Sequence, residues 1–166
     1  MAGAPAVRIR LDHHESEVSR YSYADLAAVL RQHGTKVRRD LHELFRRMVF
    51  NILVTNDDDH LRNHGFLFDG PGWRLSPLYD VVPKPQVGLD RRLVLDVEPQ
   101  GRDATIPNAL AGAAAFALSS AVSLAIVDDM RARVAAGWER QFEDAMVSTA
   151  DRGHFATCFR RATEPR

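Results

Sequence analysis

The chain has 166 residues, of which 45% are apolar, and this size and composition suit one domain with a sizeable hydrophobic core. Lys plus Arg and Asp plus Glu both number 22, so the net charge favours neither general nucleic-acid binding nor attachment to an anionic membrane. A single cysteine, Cys158, excludes an intrachain disulfide and a cysteine-rich zinc site. No apolar run has signal-peptide or membrane-spanning length. From the single cysteine, the charge balance and the absence of such a run, we expect a cytoplasmic protein that binds no membrane and no nucleic acid directly.

The first segment of the chain carries little structural signal. Residues 1–20 have no sustained periodicity, apart from a short strand predicted at Val7–Leu11. We interpret these residues as a tail or the remnant of an N-terminal region. The domain itself is predicted to occupy residues 21–166.

Two helices are predicted next. Ser22 is a suitable N-cap for the first, and Gly34 ends it. From about Lys36 the second helix has apolar residues at spacings of three and four, which form one continuous face. Its last residues, Phe50–Val54, are apolar nearly all round. The end of the second helix is therefore predicted to lie deep in the domain.

A polar run and a hairpin follow the second helix. The run is Asn56–His60, and the alternating segments Gly65–Asp69 and Trp73–Leu75 are predicted as two short strands. The Asp-Gly-Pro-Gly turn between them is strong hairpin punctuation. Nearby prolines exclude a helix around Asp80, so this acid is expected on a rigid extended segment.

The remainder of the chain is predicted to be mostly helical. Arg92–Val97 alternates in the manner of a further strand, and Ser148 is predicted to cap a last helix that runs through Phe159. The other predicted helices are Pro107–Leu118 and Ser120–Gly137, the latter continuing through Met146. The predicted fold class is therefore mainly α with a small β-hairpin (α+β).

Three consecutive carboxylates, Asp57, Asp58 and Asp59, lie where the second helix reaches the interior. Burying them without cations would shift their pKa values or destabilise the fold. We therefore expect either that they reach solvent or that a positive group lies among them.

The spacing around these acids matches the needs of phosphoryl transfer. Such a site requires a carboxylate that orients the attacking hydroxyl, together with oxygen ligands for Mg²⁺. Protein kinases carry an Asp and, five positions later, an Asn on one loop, and a further Asp on a later segment. Asp58 and Asn63 have this offset of five, and Asp80 follows the hairpin within a Tyr-Asp-Val triplet.

Other interpretations of the loop remain open. His60 could orient the loop through a hydrogen bond or simply pack there, and Arg62 could meet a phosphate or remain an exposed arginine. A calcium loop is disfavoured because no register starting at Asn56 or Asp57 places Gly at the sixth position. An Asx-rich helix cap without chemistry stays as a further alternative.

Two stretches make a family recognisable. Asn51–Phe66 (NILVTNDDDHLRNHGF) and Trp73–Val82 (WRLSPLYDVV) resemble the C-terminal domain of the HipA family, bacterial serine/threonine kinases that act as toxins of toxin–antitoxin modules. Ser22–Ala27 and Leu41–Phe50 are similar to the helices that lead into the family's catalytic loop. The resemblance spans about Tyr21 to Phe159, and it implies a kinase-like C-terminal lobe.

The resemblance also implies a site and its partners. It assigns Asp58 as the catalytic aspartate, Asn63 and Asp80 as magnesium ligands, and His60 and Arg62 as supporting loop residues. The implied cofactors are ATP and Mg²⁺, and the implied substrate is a serine on a protein, often an aminoacyl-tRNA synthetase. The implied inhibitory partner is a small helix-turn-helix antitoxin.

One part of a kinase has no counterpart in the sequence. A kinase needs a lysine and a glycine-rich cover from an N-terminal lobe. The two lysines are Lys36, at a helix start, and Lys84, between prolines, and no glycine-rich loop follows an early strand. We therefore expect a HipA-like catalytic lobe whose nucleotide lobe is largely absent and comes from another chain. The alternative is a catalytically inactive, truncated HipA-like module that binds an antitoxin or a target protein.

Overall fold

A computed structural model describes residues 21–85, 91–97 and 99–163. The strand predicted at Val7–Leu11 lies outside the described residues. The structure is mostly helical with one antiparallel hairpin, so the predicted fold class is confirmed. Its elements are α1 (Tyr23–His33), α2 (Val37–Val54), β1 (Phe66–Phe68), β2 (Trp73–Leu75), α3 (Ile106–Ala111), α4 (Ser120–Asp144), α5 (Thr149–Phe155) and α6 (Arg160–Thr163), with 3₁₀ turns at Leu61–Asn63, Ala113–Phe116 and Ala156–Phe159.

Helix α1 has both ends that its sequence predicts. Ser22 Oγ accepts a hydrogen bond from the Asp25 N–H at 3.1 Å, and the Asp25 carboxylate accepts one from the Ser22 N–H at 2.8 Å. This reciprocal pair satisfies two amide groups that a helix start leaves free. At the other end, Gly34 approaches so closely that a Cβ there would lie 2.4 Å from the Leu30 carbonyl oxygen. The Gly34 position therefore requires a residue without a side chain.

Helix α2 is the centre of the hydrophobic core. Its predicted apolar face is buried against α1, α3, α4 and the 3₁₀ turn Ala113–Phe116. Its last residues, from Asn51 to Val54, are all buried, which confirms the prediction that this end lies deep in the domain. Each fully buried large apolar side chain stabilises the fold by about 1.5–3 kcal/mol. The buried face comprises Leu41, Leu44, Phe45, Met48, Val49, Ile52 and Leu53.

The hairpin is fastened to α2 by one buried acid. Strands β1 and β2 pair antiparallel, with Phe66 opposite Leu75. The Asp40 carboxylate, from the first turn of α2, accepts hydrogen bonds from Arg74 Nε at 2.9 Å and Arg74 Nη2 at 3.1 Å. It also accepts one from the Leu75 N–H at 3.1 Å. Asp40 therefore fixes the position of the hairpin relative to the core.

Two predicted elements differ in the structure. Arg92–Val97 is not a strand: it makes only isolated bridges, from Arg92 to Asp103 and from Asp96 to Ser22. Its inward residues Leu93, Leu95 and Val97 are buried as the alternation indicated, but a bend at 94–95 prevents a continuous ladder. The helix predicted at Pro107–Leu118 divides at Gly112 into α3 and a 3₁₀ turn.

The later helices otherwise follow the prediction. Helix α4 runs to Asp144, and Ser148 Oγ accepts a hydrogen bond from the Asp151 N–H at 3.1 Å to begin α5. The last predicted helix is continued by a 3₁₀ turn and α6 rather than by one regular helix. Within the described ranges, no helix is both long enough and apolar enough to cross a bilayer.

Candidate active site

The acidic loop leaves α2 at a residue in an unusual conformation. Thr55 has a φ of 56°, in the left-handed region that β-branched residues rarely adopt. Its hydroxyl donates to the Cys158 carbonyl at 2.7 Å and accepts from Arg91 Nη1 at 2.6 Å. Contacts with Cys158 and Arg91 therefore hold the turn that starts the loop, and they offset the cost of its backbone conformation.

The three consecutive aspartates lie in three different environments. The Asp58 side chain is 57% exposed, that of Asp57 is 29% exposed and that of Asp59 is 1% exposed. The Lys84 ammonium contacts the first two acids. The expectation therefore holds for Asp57 and Asp58, the outer acids, which reach solvent and have a cation beside them. Asp59 meets neither condition, since it is buried.

Asp59 is held by a chain of buried polar side chains. The Tyr23 hydroxyl donates to the Asp59 carboxylate and accepts from Asn51 Nδ2 at 3.0 Å. Asn56 Nδ2 in turn donates to Asn51 Oδ1 at 3.1 Å. Burial, and then the neighbouring Asp59 carboxylate, raise the pKa of Tyr23 well above its ordinary value, so this hydroxyl remains a donor. This series of hydrogen bonds links α1, α2 and the loop beneath the exposed acids.

The Asn63 amide brings the predicted site residues together. Asn63 ends the 3₁₀ turn and is buried, and its Nδ2 donates to the Asp58 carbonyl at 2.9 Å. The same nitrogen lies 3.5 Å from the Asp80 carbonyl. One amide group therefore bridges the acidic loop and the segment that follows the hairpin, so that Asp58, Asn63 and Asp80 are neighbours in space.

The prediction of an extended backbone is wrong at Asp80, which adopts a left-handed conformation that is uncommon for a residue with a side chain. Its φ is 57°, and it is exposed on the segment after the hairpin. Next to it, the Tyr79 hydroxyl donates to the Arg62 carbonyl at 2.6 Å, a second tie between the two segments. Left-handed residues other than glycine concentrate at functional sites, where the surrounding structure enforces them.

The two supporting residues act on the loop through their main chains. The His60 carbonyl accepts from the Asn63 N–H at 2.9 Å, and the His60 N–H donates to the Asp58 carbonyl at 3.0 Å. The imidazole is half-buried, and its Nδ1 has no hydrogen-bond partner among the described residues. Arg62 is exposed, and its carbonyl accepts the bond from Tyr79.

Sequence reasoning missed several residues of this region. Lys84 lies beside the outer acids, with Nζ 3.1 Å from Asp57 Oδ1 and 3.5 Å from Asp58 Oδ2. A hydrogen bond to Asp57 and the charges of both acids raise the pKa of Lys84. Tyr23 and Asn51 were also missed. The local signal of Tyr23 is an aromatic residue directly after a helix cap. That of Asn51 is a polar residue in the apolar end of α2.

Asn63 and Asp80 are the predicted magnesium ligands, and their side chains carry the oxygen atoms that such an ion would need. The described residues contain no group of three His, Cys, Asp or Glu side chains with the geometry of a metal site. Mg²⁺ at phosphotransfer sites usually takes one or two protein ligands and completes its shell with phosphate oxygens and water. The Asn63 amide nitrogen faces two carbonyls, so its oxygen remains as an acceptor, and Asp80 can supply the carboxylate.

The HipA-like C-terminal domain model matches residues 5–138. The chain therefore belongs to the HipA-like C-terminal domain family. This match begins before residue 21, and the division of the chain at residue 20 stays a prediction.

Individual proteins agree with this family. The chain is 34% identical over 70 residues to a Haemophilus influenzae protein named "Putative kinase", covering 40% of this chain and 20% of that protein. It is 28% identical over 83 residues to "Putative kinase Y4mE" of Sinorhizobium fredii, covering 45% of this chain and 20% of that protein. The chain thus matches about a fifth of the length of each of these curated relatives.

A solved structure has the same fold. The chain matches a structure of the Shewanella oneidensis toxin–antitoxin system of HipA, HipB and its operator DNA with a TM-score of 0.66 and 13% identity. The match covers 91% of this chain and 37% of the matched chain. At this identity the likeness establishes the fold, and the fold agrees with the family.

Proposed function

We propose that the chain is the catalytic lobe of a HipA-like serine/threonine protein kinase, which transfers a phosphoryl group from ATP to a protein serine with the help of Mg²⁺. One observation carries the proposal: the Asn63 amide joins the main chains of Asp58 and Asp80. The three residue types that phosphoryl transfer needs are thereby gathered beside an exposed face. The kinase names of two relatives support the same reaction class.

Each of these residues has a defined part in the proposed reaction. The exposed Asp58 carboxylate accepts the proton of the substrate serine hydroxyl. As it does so, the serine oxygen bonds to the γ-phosphorus of ATP, and the bond between this phosphorus and the ADP oxygen breaks. Asn63 and Asp80 would hold Mg²⁺, which neutralises phosphate charge when bound. Asp59 is excluded as the base because its carboxylate is buried and accepts a hydrogen bond from the Tyr23 hydroxyl.

The nucleotide-binding lobe in this proposal comes from outside the 166 residues. The curated relatives are about five times as long as the regions matched, which leaves room for such a lobe in the complete kinase, meaning this lobe and the nucleotide lobe together. The structural neighbour is a complex with HipB and DNA, which supports a helix-turn-helix antitoxin as a partner. The proposed substrate is a serine of a protein, an aminoacyl-tRNA synthetase being the first to test.

The decisive experiment removes the proposed base. We expect Asp58→Asn in the complete kinase to lower the rate of phosphoryl transfer by about 10³-fold, since general-base catalysis contributes about 10²–10⁴-fold. Asp129→Asn, at an exposed acid on α4, is the matched control and should leave the rate unchanged. Radiolabelled phosphate transfer to the target protein measures both variants.

Calorimetry of the complete kinase with ATP, with and without Mg²⁺, provides a second measurement. Full activity of Asp58→Asn would refute the assignment of the base. Absence of magnesium-dependent ATP binding, together with retained binding to the antitoxin, would instead support an inactive module that binds a partner.

A further inference from the structure

Lys84 is carried by an unusually fixed piece of backbone. Prolines precede and follow it, and each locks its own φ and restricts the residue before it. The Lys84 N–H also donates to the Thr55 carbonyl at 3.1 Å, which ties this segment to the end of α2. The side chain therefore starts from a defined point at the base of the acidic loop.

The Lys84 ammonium meets the two outer acids of the loop. It lies 3.1 Å from Asp57 Oδ1 and 3.5 Å from Asp58 Oδ2. The Lys84 side chain is 44% exposed, and ion pairs with this degree of exposure contribute little to folding stability. Lys84 thus supplies the positive charge expected beside the acids, and its rigid segment also fixes where that charge lies.

The Asp58 carboxylate has no comparable partner elsewhere in the described ranges. Asn63 binds the main-chain carbonyl of Asp58, so it positions the backbone and leaves the carboxylate free to rotate. An exposed aspartate without a partner samples several rotamers, whereas a general base must lie within hydrogen-bond reach of the proton that it accepts. The Lys84 ammonium, 3.5 Å from Asp58 Oδ2, favours the rotamers that keep this carboxylate beside it.

We propose that Lys84 is a positioning residue that orients the Asp58 carboxylate for phosphoryl transfer. This inference rests on the proposed kinase function. The proposed role places Lys84 at the site of the C-terminal lobe, whereas its position between prolines did not fit the lysine of a nucleotide-binding lobe.

The kinetic test exploits the two lysines of the chain. In the complete kinase, Lys84→Met should lower kcat by about 5-fold, because an exposed ion pair contributes up to about 1 kcal/mol to the orientation of the carboxylate. The KM for ATP should stay within about twofold, because the interaction acts on the chemical step. Lys84→Arg should recover part of the rate. Lys36→Met, at the N-cap of α2 and away from the loop, is the control and should match the wild type.

A second test needs no activity. Lysine labelled with ¹³C at the ε position gives two signals in this chain, from Lys36 and Lys84, and the Lys36→Met spectrum assigns them. We expect Asp58→Asn to shift the Lys84 signal and to leave the Lys36 signal in place. Circular dichroism would check that each variant remains folded.

The outcomes separate the two proposals. If the complete wild-type kinase transfers no phosphate, the proposed function fails and the positioning role fails with it. If the wild type is active and Lys84→Met is equally active, the positioning role alone is overturned. An unchanged Lys84 signal in Asp58→Asn also overturns the positioning role, whatever the activity of the wild type.

Discussion

At the scale of single residues, burial separates three consecutive aspartates, of which the spacing to Asn63 singles out Asp58. Asp59 turns inward to the Tyr23 hydroxyl, whereas Asp58 remains exposed. The Asp59 contact therefore also anchors the backbone that carries the neighbouring, exposed Asp58. Tyr23 and Asn51 therefore contribute to the site although they lie below its surface.

The buried Tyr23 hydroxyl should matter for stability. Tyr23→Phe would remove the hydroxyl that donates to the Asp59 carboxylate, and we expect the free energy of unfolding to fall by about 1–3 kcal/mol. Tyr79→Phe removes a tyrosine hydroxyl of the same kind from an exposed hydrogen bond, where water can replace it. Urea unfolding of the two variants should thus show a much larger loss for Tyr23→Phe. Equal losses would contradict the importance of the buried chain.

The same hydroxyl predicts how this difference depends on pH. The folded-state pKa of Tyr23 is raised well above its ordinary value of 10.0, so the unfolded chain loses this proton first as the pH rises. The contribution of Tyr23 is therefore fully present below pH 10.0 and is lost as the pH rises above it. The stability difference between wild type and Tyr23→Phe should shrink in that range, and a constant difference would argue against a buried, protonated Tyr23.

The spacing of Asp58 and Asn63 was visible in the sequence, but the supports of the site were not. Tyr23 lies 36 positions from Asp59, and Lys84 reaches the acidic loop only because the hairpin folds back between them. Local patterns carry no information about such partners. The sequence therefore indicates the candidate residues of the site, whereas the contacts that orient them follow from the tertiary fold.

At the scale of elements, local signals predicted the parts with strong caps and turns. Helix α1 lies between Ser22 and Gly34 as expected, and the hairpin forms around Gly70, whose φ is 97°. Arg92–Val97 failed as a strand because a bend at 94–95 interrupts it and leaves only isolated bridges to its neighbours. The alternation of its side chains predicted which residues are buried, but its prediction of a paired strand was wrong.

The attachment of the hairpin to α2 is a testable property of these elements. Asp40→Ala removes the acceptor for Arg74 and for the Leu75 N–H, and we expect the free energy of unfolding to fall by about 2–3 kcal/mol, as for hydrogen bonds to charged groups. Asp40→Asn keeps an acceptor of similar size and should lose less. Chemical denaturation measures both variants, and a neutral Asp40→Ala would show that the hairpin is held by other contacts.

At the scale of the whole molecule, α2 connects two hydrophobic clusters. The larger cluster lies along most of α2, and the smaller one contains Val54, Cys158 and Phe159 with aromatic side chains around them. The smaller cluster also holds the turn at Thr55, through the Cys158 carbonyl. The C-terminal helices thus support the start of the acidic loop as well as the core.

Because α2 belongs to both clusters, we expect the domain to unfold in one transition. Phe159 is buried and stacks on Trp138 with ring centres 4.6 Å apart. Phe159→Ala should therefore lower the free energy of unfolding by about 3–4 kcal/mol, and Phe155→Ala, at a half-buried ring of the same cluster, should lower it by less.

Two probes would establish whether the clusters unfold together. In a Trp73→Phe background Trp138 is the one remaining tryptophan, so its fluorescence reports the smaller cluster, while far-ultraviolet circular dichroism reports all the helices. Coincident urea transitions are the test of a single cooperative unit. A fluorescence transition at lower urea concentration would show that the C-terminal cluster opens independently, and the turn at Thr55 would then lose its support before the core unfolds.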